Sequence, residues 1–425
     1  MDFQRVAVTG LGFISSIGND RAEVAGSLRR LTNGCERFDF LPGRPGEVTV
    51  AGTVKGFHTD SVRWSDWRYP ARYAFERERL RALSPHGLYA LCATAQAVEE
   101  AGLTPAEMAA PETGLFTASA GSPFLLRYHL NEFHANGGRR VAPLGIVASV
   151  AGTLNFNLAT HYGVQGAVAG FVSACASSSH ALGYACDEIR LGRHSRMLVV
   201  GAEEANFDTI MPFLGMRALS TNPDPLTASR PFDRDRDGFV GTGGAAALVL
   251  ESWDLARARG ARIQAELLGW GQSADGYNVA ISEPEGRGLA RAMERALVDS
   301  KLAAGDIGYV NAHATSTPAG DRSEARALAR VFTERGAHPY VSSTKALTGH
   351  ALSMAGALEA AICVLALSEG FVPGAAHLEN PDDACEGLKM PRATLSESPG
   401  VALSNSSGFG GSNVCLILRD ANGLT

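Results

Sequence analysis

The sequence predicts a layered α/β fold built from two related halves, and three observations carry that reading. Short apolar runs of strand length alternate with longer stretches whose apolar residues recur every three or four positions, the spacing of a helix with one buried face. The 48 glycines of the 425-residue chain cluster at turns after those runs, which suits tight strand-to-helix turns between stacked layers. Two stretches also echo each other. Residues 171–175 lead from an apolar run into a helix pattern and then a strand pattern, and residues 341–344 do the same through a glycine-containing turn.

In chain order, strands are expected at residues 6–9, 197–200, 246–251, 341–343, 401–404 and 414–418. Helices are expected at residues 85–101, 177–191, 288–300, 321–333 and 354–369. The halves meet near residues 256–261, which divides the chain into 1–255 and 256–425. Residues 33–81 are irregular and interrupt the first half as an excursion or cap. No strict short period is present, which argues against a solenoid.

Composition narrows the class. Charged residues make up 19% and hydrophobic residues 45%, a globular balance. A net charge of −6 argues against a generic nucleic-acid binder. No apolar run reaches the roughly 20 residues of a membrane helix, and the N-terminus lacks a signal-peptide pattern. The seven cysteines contain no CxxC pair, so free thiols in a reducing cytoplasm are expected.

Four segments could carry chemistry. In VSACASSSHALG, Cys175 sits where a strand gives way to a helix, so the helix dipole favours its thiolate and small neighbours leave room for a substrate. The competing reading is a buried structural cysteine, the fate expected of Cys186. In NAHATSTPAGD, His313 lies on a polar loop at the exit of a strand, where ligand groups gather in α/β sheets. In STKALTGH, Lys345 and His350 occupy a turn before an apolar helix; the lysine needs a carboxylate, with Glu324 and Glu359 as candidates. Both histidines could equally be satisfied loop residues. In SNSSGFGGSN, Gly408, Gly410 and Gly411 surround Phe409 and leave backbone N–H groups accessible. Asp233, Asp235 and Asp237 imitate a calcium loop, but the twelfth position is Gly244, so a salt-bridged structural loop is expected. TGLGFISSIG lacks dinucleotide-site spacing.

These segments, in this order and almost end to end, resemble the β-ketoacyl-acyl-carrier-protein synthases of the thiolase-fold superfamily, the elongating Cys-His-His type in particular. The resemblance implies a five-layered α-β-α-β-α thiolase-like fold. It implies a 3-oxoacyl-[acyl-carrier-protein] synthase, joining malonyl-ACP to a Cys-bound acyl chain by decarboxylative Claisen condensation in fatty acid or polyketide-type biosynthesis. Cys175 would hold the acyl group, and the amides of Cys175 and Phe409 would form the oxyanion hole. His313 and His350 would stabilise the malonyl enolate, and Lys345 would order the site. Thr315 and Thr317 would bind the phosphopantetheine arm carried by ACP, and Phe409 would act as a gate. No cofactor is required. A structural monovalent cation would sit among Asn311, Glu324, Glu359, Ser404 and Asn405.

The resemblance also implies a homodimer, or a heterodimer with a chain-length-factor-like subunit as in type II polyketide and polyene systems; a thiolase-fold acyltransferase that does not elongate is a further alternative. A thiolase would need a second reactive cysteine where Phe409 stands. Zinc on Cys175, His313 and His350 would be a different chemistry, and their spacing matches no zinc motif. Three departures stand out: Ala314 replaces the family's usual Gly, Ser407 replaces a Phe, and residues 119–124, expected along the acyl pocket, are small. Acyl carrier protein is acidic, so Arg63, Arg68, Arg72, Arg139 and Arg140 are candidate docking residues.

Overall fold

The computed structural model describes residues 3–41, 46–139 and 141–421. Its strands are β1 (Val6–Ile14), β2 (Cys35–Arg37), β3 (Val50–Gly52), β4 (Thr113–Ala118), β5 (Val168–Phe171) and β6 (Arg196–Glu203). They continue with β7 (Gly244–Ser252), β8 (Ala265–Ala274), β9 (Tyr309–Asn311), β10 (Tyr340–Ser342), β11 (Val401–Gly408) and β12 (Ser412–Asp420). Apart from the small β2–β3 pair in the excursion, they follow the order β10-β9-β11-β12-β8-β1-β7-β6-β4-β5.

That order is one topology written twice. In the run β5-β4-β6-β7-β1, the first two pairings are parallel and the last two antiparallel. The run β10-β9-β11-β12-β8 repeats this pattern. The two runs join only through a short antiparallel contact, Ala7 with Glu266 and Val8 with Ala265. The stretches that echo in the sequence follow β5 and β10, which occupy equivalent outer places.

Side-chain alternation shows why the strands read as continuous apolar runs. On β7, Ala246, Leu248 and Leu250 face one apolar cluster, whereas Ala245, Ala247 and Val249 face another. On β12, Val414, Leu416 and Leu418 face the first cluster, and Cys415 and Ile417 face a third. The shared cluster holds the helices Ser177–Arg190 and Ala355–Glu369. The outer clusters hold Pro85–Glu100 on one side, and Arg287–Ser300 and Pro318–Val331 on the other. Layers of helix, sheet, helix, sheet and helix result, the thiolase-like arrangement expected. The stretch Leu352–Glu369 is long and apolar enough to cross a membrane, but 89% of it is buried as the central helical layer.

The central helices meet at their N-terminal ends, and small residues make this possible. Ser178 Oγ accepts from the Ala357 amide at 2.9 Å, and a Cβ on Gly356 would lie 2.0 Å from Ser179 Oγ. Ser178 and Ser179 therefore serve helix–helix approach, and neither they nor Ser177 lines the cavity described below, where the sequence suggested room for a substrate. One helix boundary also moves. The helix expected from residue 321 starts at Pro318, because proline at the first helical position has the right φ and no N–H to leave unpaired.

Candidate active site

The turn before the Ser177–Arg190 helix presents Cys175. Ala174 holds φ 50°, a left-handed conformation strained for a residue with a Cβ. The turn is fastened by Ser177 Oγ, which donates to the Ala174 carbonyl at 2.6 Å. Cys175 Sγ lies 3.0 Å from His350 Nε2. Cys175 is the only cysteine among those described that is not fully buried. Burial pushes its thiol up to about 12, and the Lys345 charge opposes that rise.

His313 follows β9 and is aimed from behind. The Glu324 carboxylate accepts from the amides of His313 (2.9 Å) and Ala314 (2.6 Å) and from Asn405 Nδ2 (3.0 Å). The loop continues through Ser316, at φ 72°. Its hydroxyl accepts from the Arg230 amide (3.1 Å), and its carbonyl accepts from the Gly238 amide (3.0 Å). Arg236 donates to the carbonyls of Thr317 and Pro318 while pairing with Asp321 and Asp382. The aspartate-rich segment is thus the salt-bridged loop expected, and it braces the His313 loop.

The rings of His313 and His350 are nearly perpendicular, with centroids 5.3 Å apart. The ligand atoms of Cys175, His313 and His350 all lie within 4.8 Å of one another. Lys345 pairs with Glu359, the second of its two sequence candidates, and both are buried. Burial and the Lys345 charge together hold both imidazoles well below their usual pKa, and His350 adds to the effect on His313. Both rings are therefore neutral at physiological pH. Neither Nδ1 has a hydrogen-bond partner among the described residues, so at His350 the tautomer is coupled to the Nε2 contact with Cys175 Sγ alone.

The glycine hairpin closes over this group. A Cβ on Gly408 would stand 2.5 Å from the Ser173 carbonyl and 3.2 Å from the Cys175 nitrogen. Only glycine lets the hairpin approach the nucleophile turn so closely, and Phe409 is the next residue along the hairpin. Phe409 is 39% exposed and packs on Phe213, which meets Phe239, which in turn meets His350 edge-on. Together these residues line a cavity of about 300 Å³ that also includes Thr315, Thr317 and Ala314. Thr315 and Thr317 share a hydroxyl–hydroxyl bond of 3.1 Å. Residues 119–124 do not line this cavity.

Sequence reasoning missed several lining residues. Phe213 and the exposed Arg217 belong to a segment with no recognisable chemical pattern, and Phe239 ends the aspartate-rich segment, which the sequence marks as structural only. Asp275 enters through Asn413: Ser407 Oγ donates to Asn413 Oδ1 (2.8 Å), and Asn413 Nδ2 donates to Asp275 Oδ1 (2.7 Å). That chain ties the hairpin to residues 275–283 and explains what the serine at 407 does that a phenylalanine could not. The proposed docking arginines fare differently. Arg63, Arg68 and Arg139 are exposed but do not line the cavity. Arg72 donates to the Asn19 carbonyl (2.8 Å) and pairs with Asp20. Arg140 lies outside the described residues.

The cation candidates Asn311, Glu324, Glu359, Ser404 and Asn405 are all buried. Glu359 Oε2, Ser404 Oγ and Asn405 Oδ1 have no hydrogen-bond partner among the described residues. Unpartnered buried oxygens are the donor chemistry a hard cation takes, so these residues fit such an ion.

A doubled α/β topology with a thiol and two neutral imidazoles at the junction of its central helices defines a condensing acyltransferase. Residues 3–256 match the β-ketoacyl synthase N-terminal domain and residues 264–379 its C-terminal domain, and the chain belongs to this family. It is 36% identical to 3-oxoacyl-[acyl-carrier-protein] synthase 1 of Haemophilus influenzae, over 99% of this chain and 100% of the relative. It is 33% identical to synthase 2 of Staphylococcus aureus, over 98% of each. Among solved structures, a β-ketoacyl synthase from Burkholderia phymatum superposes with a TM-score of 0.90 at 32% identity, covering 99% of this chain and 100% of that one. The ishigamide ketosynthase/chain length factor superposes with a TM-score of 0.86 at 30% identity, over the same shares.

Proposed function

We propose that this enzyme extends a Cys175-bound acyl group with the two-carbon unit of a malonyl thioester carried on acyl carrier protein. The observation that carries the reading is Cys175 Sγ at 3.0 Å from His350 Nε2, with His313 at right angles beside it. In the first half-reaction, Sγ attacks an acyl thioester while its proton passes through His350 to the departing pantetheine thiol. His350 Nε2, in contact with the thiol, is the nitrogen that accepts its proton. In the second half, both imidazoles donate to the malonyl carbonyl as the C–C bond to the carboxylate breaks and carbon dioxide leaves. The enolate carbon attacks the acyl–cysteine carbonyl, whose oxyanion is held by the Cys175 and Phe409 amides. Cys175 departs as the thiolate and takes up one proton, leaving a 3-oxoacyl thioester.

A cavity rimmed by Thr315 and Thr317 suits the amide-rich pantetheine arm, and exposed Arg217 supplies positive charge at its edge. The partner expected on the other face is a second copy, or a chain-length-factor-like subunit. The edge strand β5 and its surroundings expose Val168, Val172, Phe156, Leu130 and Phe133, apolar side chains of the kind a partner surface covers. The cation reading would be supported by a melting temperature that rises with potassium. The free thiols fit a reducing cytoplasm. The test is to supply acyl-carrier substrates of several chain lengths with malonyl-carrier protein and identify the products by mass. A 3-oxoacyl product two carbons longer is expected; acyl loading without elongation would overturn the condensation step.

Lys345 gives a second test. Its charge helps hold His313 and His350 neutral, so activity should persist to well below pH 6.5 and fall only as the imidazoles protonate. Lys345→Met removes that repulsion and raises both histidine pKa values. The acidic limb of its kcat/KM profile should move to higher pH. An unmoved limb would mean that neutral imidazoles are not required.

A further inference from the structure

One buried carboxylate near this site is not absorbed by the chemistry above. Glu203 ends β6 and is fully buried. Its Oε1 accepts from the Ala120 amide at 2.9 Å and from the Ser353 hydroxyl, while Oε2 has no partner among the described residues. The adjacent Glu204 differs, with one oxygen held by His86 (2.8 Å) and the other by Asn206 (2.7 Å). A carboxylate with one oxygen unpaired is costly to bury, so the two bonds it does make need a local reason.

Those bonds tie together two turns from opposite halves of the chain. Ser353 lies in the 3-10 turn Leu352–Met354, which begins two residues after His350. Leu352 holds φ 48°, a strained conformation for leucine, and its side chain lines the cavity. Strained backbone persists only where its surroundings over-determine it. Ala120 lies in the turn after β4, whose Ser119 hydroxyl accepts from the Gly121 amide at 2.9 Å. The Ser122 amide is in turn held by the Ser149 carbonyl at 2.8 Å.

We propose that Glu203 is a positioning residue, an acceptor that pins the Leu352 turn and so fixes His350 against Cys175. It touches no reacting atom. It acts by keeping Ser353, and the strained residue before it, from relaxing away from the cavity, where displacement of a reacting group by about 1 Å can cost on the order of 100-fold in rate. The inference rests on Cys175 and His350 being the reacting pair.

Glu203→Leu removes both bonds, and Ser353→Ala removes only the one to the His350 turn. Both variants should lose at least tenfold in condensation kcat while KM for the malonyl substrate stays within about threefold. Glu203→Gln keeps an acceptor oxygen and should recover most of the activity lost in Glu203→Leu. Alkylation of Cys175 by iodoacetamide reads the same geometry without any substrate, and it should slow in Ser353→Ala and Glu203→Leu alike. Wild-type kinetics and alkylation in Ser353→Ala, which deletes one hydroxyl and leaves the core filled, would overturn the proposal. So would a Gln variant as impaired as the Leu variant. Failure of the condensing reading itself shows separately, as condensation that survives Cys175→Ala.

Discussion

Cys175→Ala will abolish carbon–carbon bond formation, with a loss of about 10³-fold or more, because the acyl group then has no sulfur to occupy. No second thiol can substitute. Cys35, Cys92, Cys186, Cys363, Cys385 and Cys415 are all buried and none of them lines the cavity, whereas Cys175 does. Intact mass should show an acyl adduct on wild-type protein and none on the variant. Loss of carbon dioxide from the malonyl substrate should outlast condensation in the variant, since His313 and His350 remain in place. Labelled carbon dioxide release measured beside product formation separates the two steps. An acyl adduct on the Ala variant would place the nucleophile elsewhere.

Gly408→Ala is the second large effect, and it should act on kcat more than on KM. The added methyl would meet the Ser173 carbonyl at 2.5 Å and the Cys175 nitrogen at 3.2 Å, both backbone atoms that cannot rotate aside. The hairpin must retreat from the nucleophile turn and take the Phe409 amide with it. Loss of one oxyanion donor costs about 10²–10³ in kcat. Overpacking adds about 1–3 kcal/mol of destabilisation, read as a lower melting temperature. Gly410→Ala is the control. Gly410 has φ 77° but open space around its Cβ, so that variant meets backbone strain without the collision and should lose less kcat. Equal losses in the two would mean that hairpin flexibility, and not close approach, sets the rate.

Much of this protein is legible in local sequence pattern. The strand–turn–helix around Cys175 stands out because a run of small residues between an apolar strand and a helix has few other uses. His313, Lys345 and His350 stand out for a similar reason: polar groups at strand exits seldom persist without a partner. The small residues themselves, however, serve a purpose that their position does not reveal. Ser178 and Ser179 face Gly356 and Ala357 across the helix junction, a contact 179 residues apart in the chain for the Ser178–Ala357 pair. No local window can show it. The arginines at 63, 68 and 72 are legible only as a basic surface, because charge density by itself does not identify the partner that the surface meets.

The layered α/β class and the candidate groups Cys175, His313, Lys345 and His350 are visible in the sequence by itself, because periodicity and turn chemistry are local properties that each segment expresses alone; the thiolase-like fold and the role of each group come from the resemblance of the motifs taken in order. Only the tertiary structure decides that Lys345 pairs with Glu359 and not Glu324. The same holds for the aromatic path from Phe409 through Phe213 and Phe239 to His350, and for the convergence of Ala120 and Ser353 on Glu203. Each depends on distances between elements far apart in the chain. Those distances are set by how two sheets close on shared central helices, a packing outcome that no single stretch of residues contains.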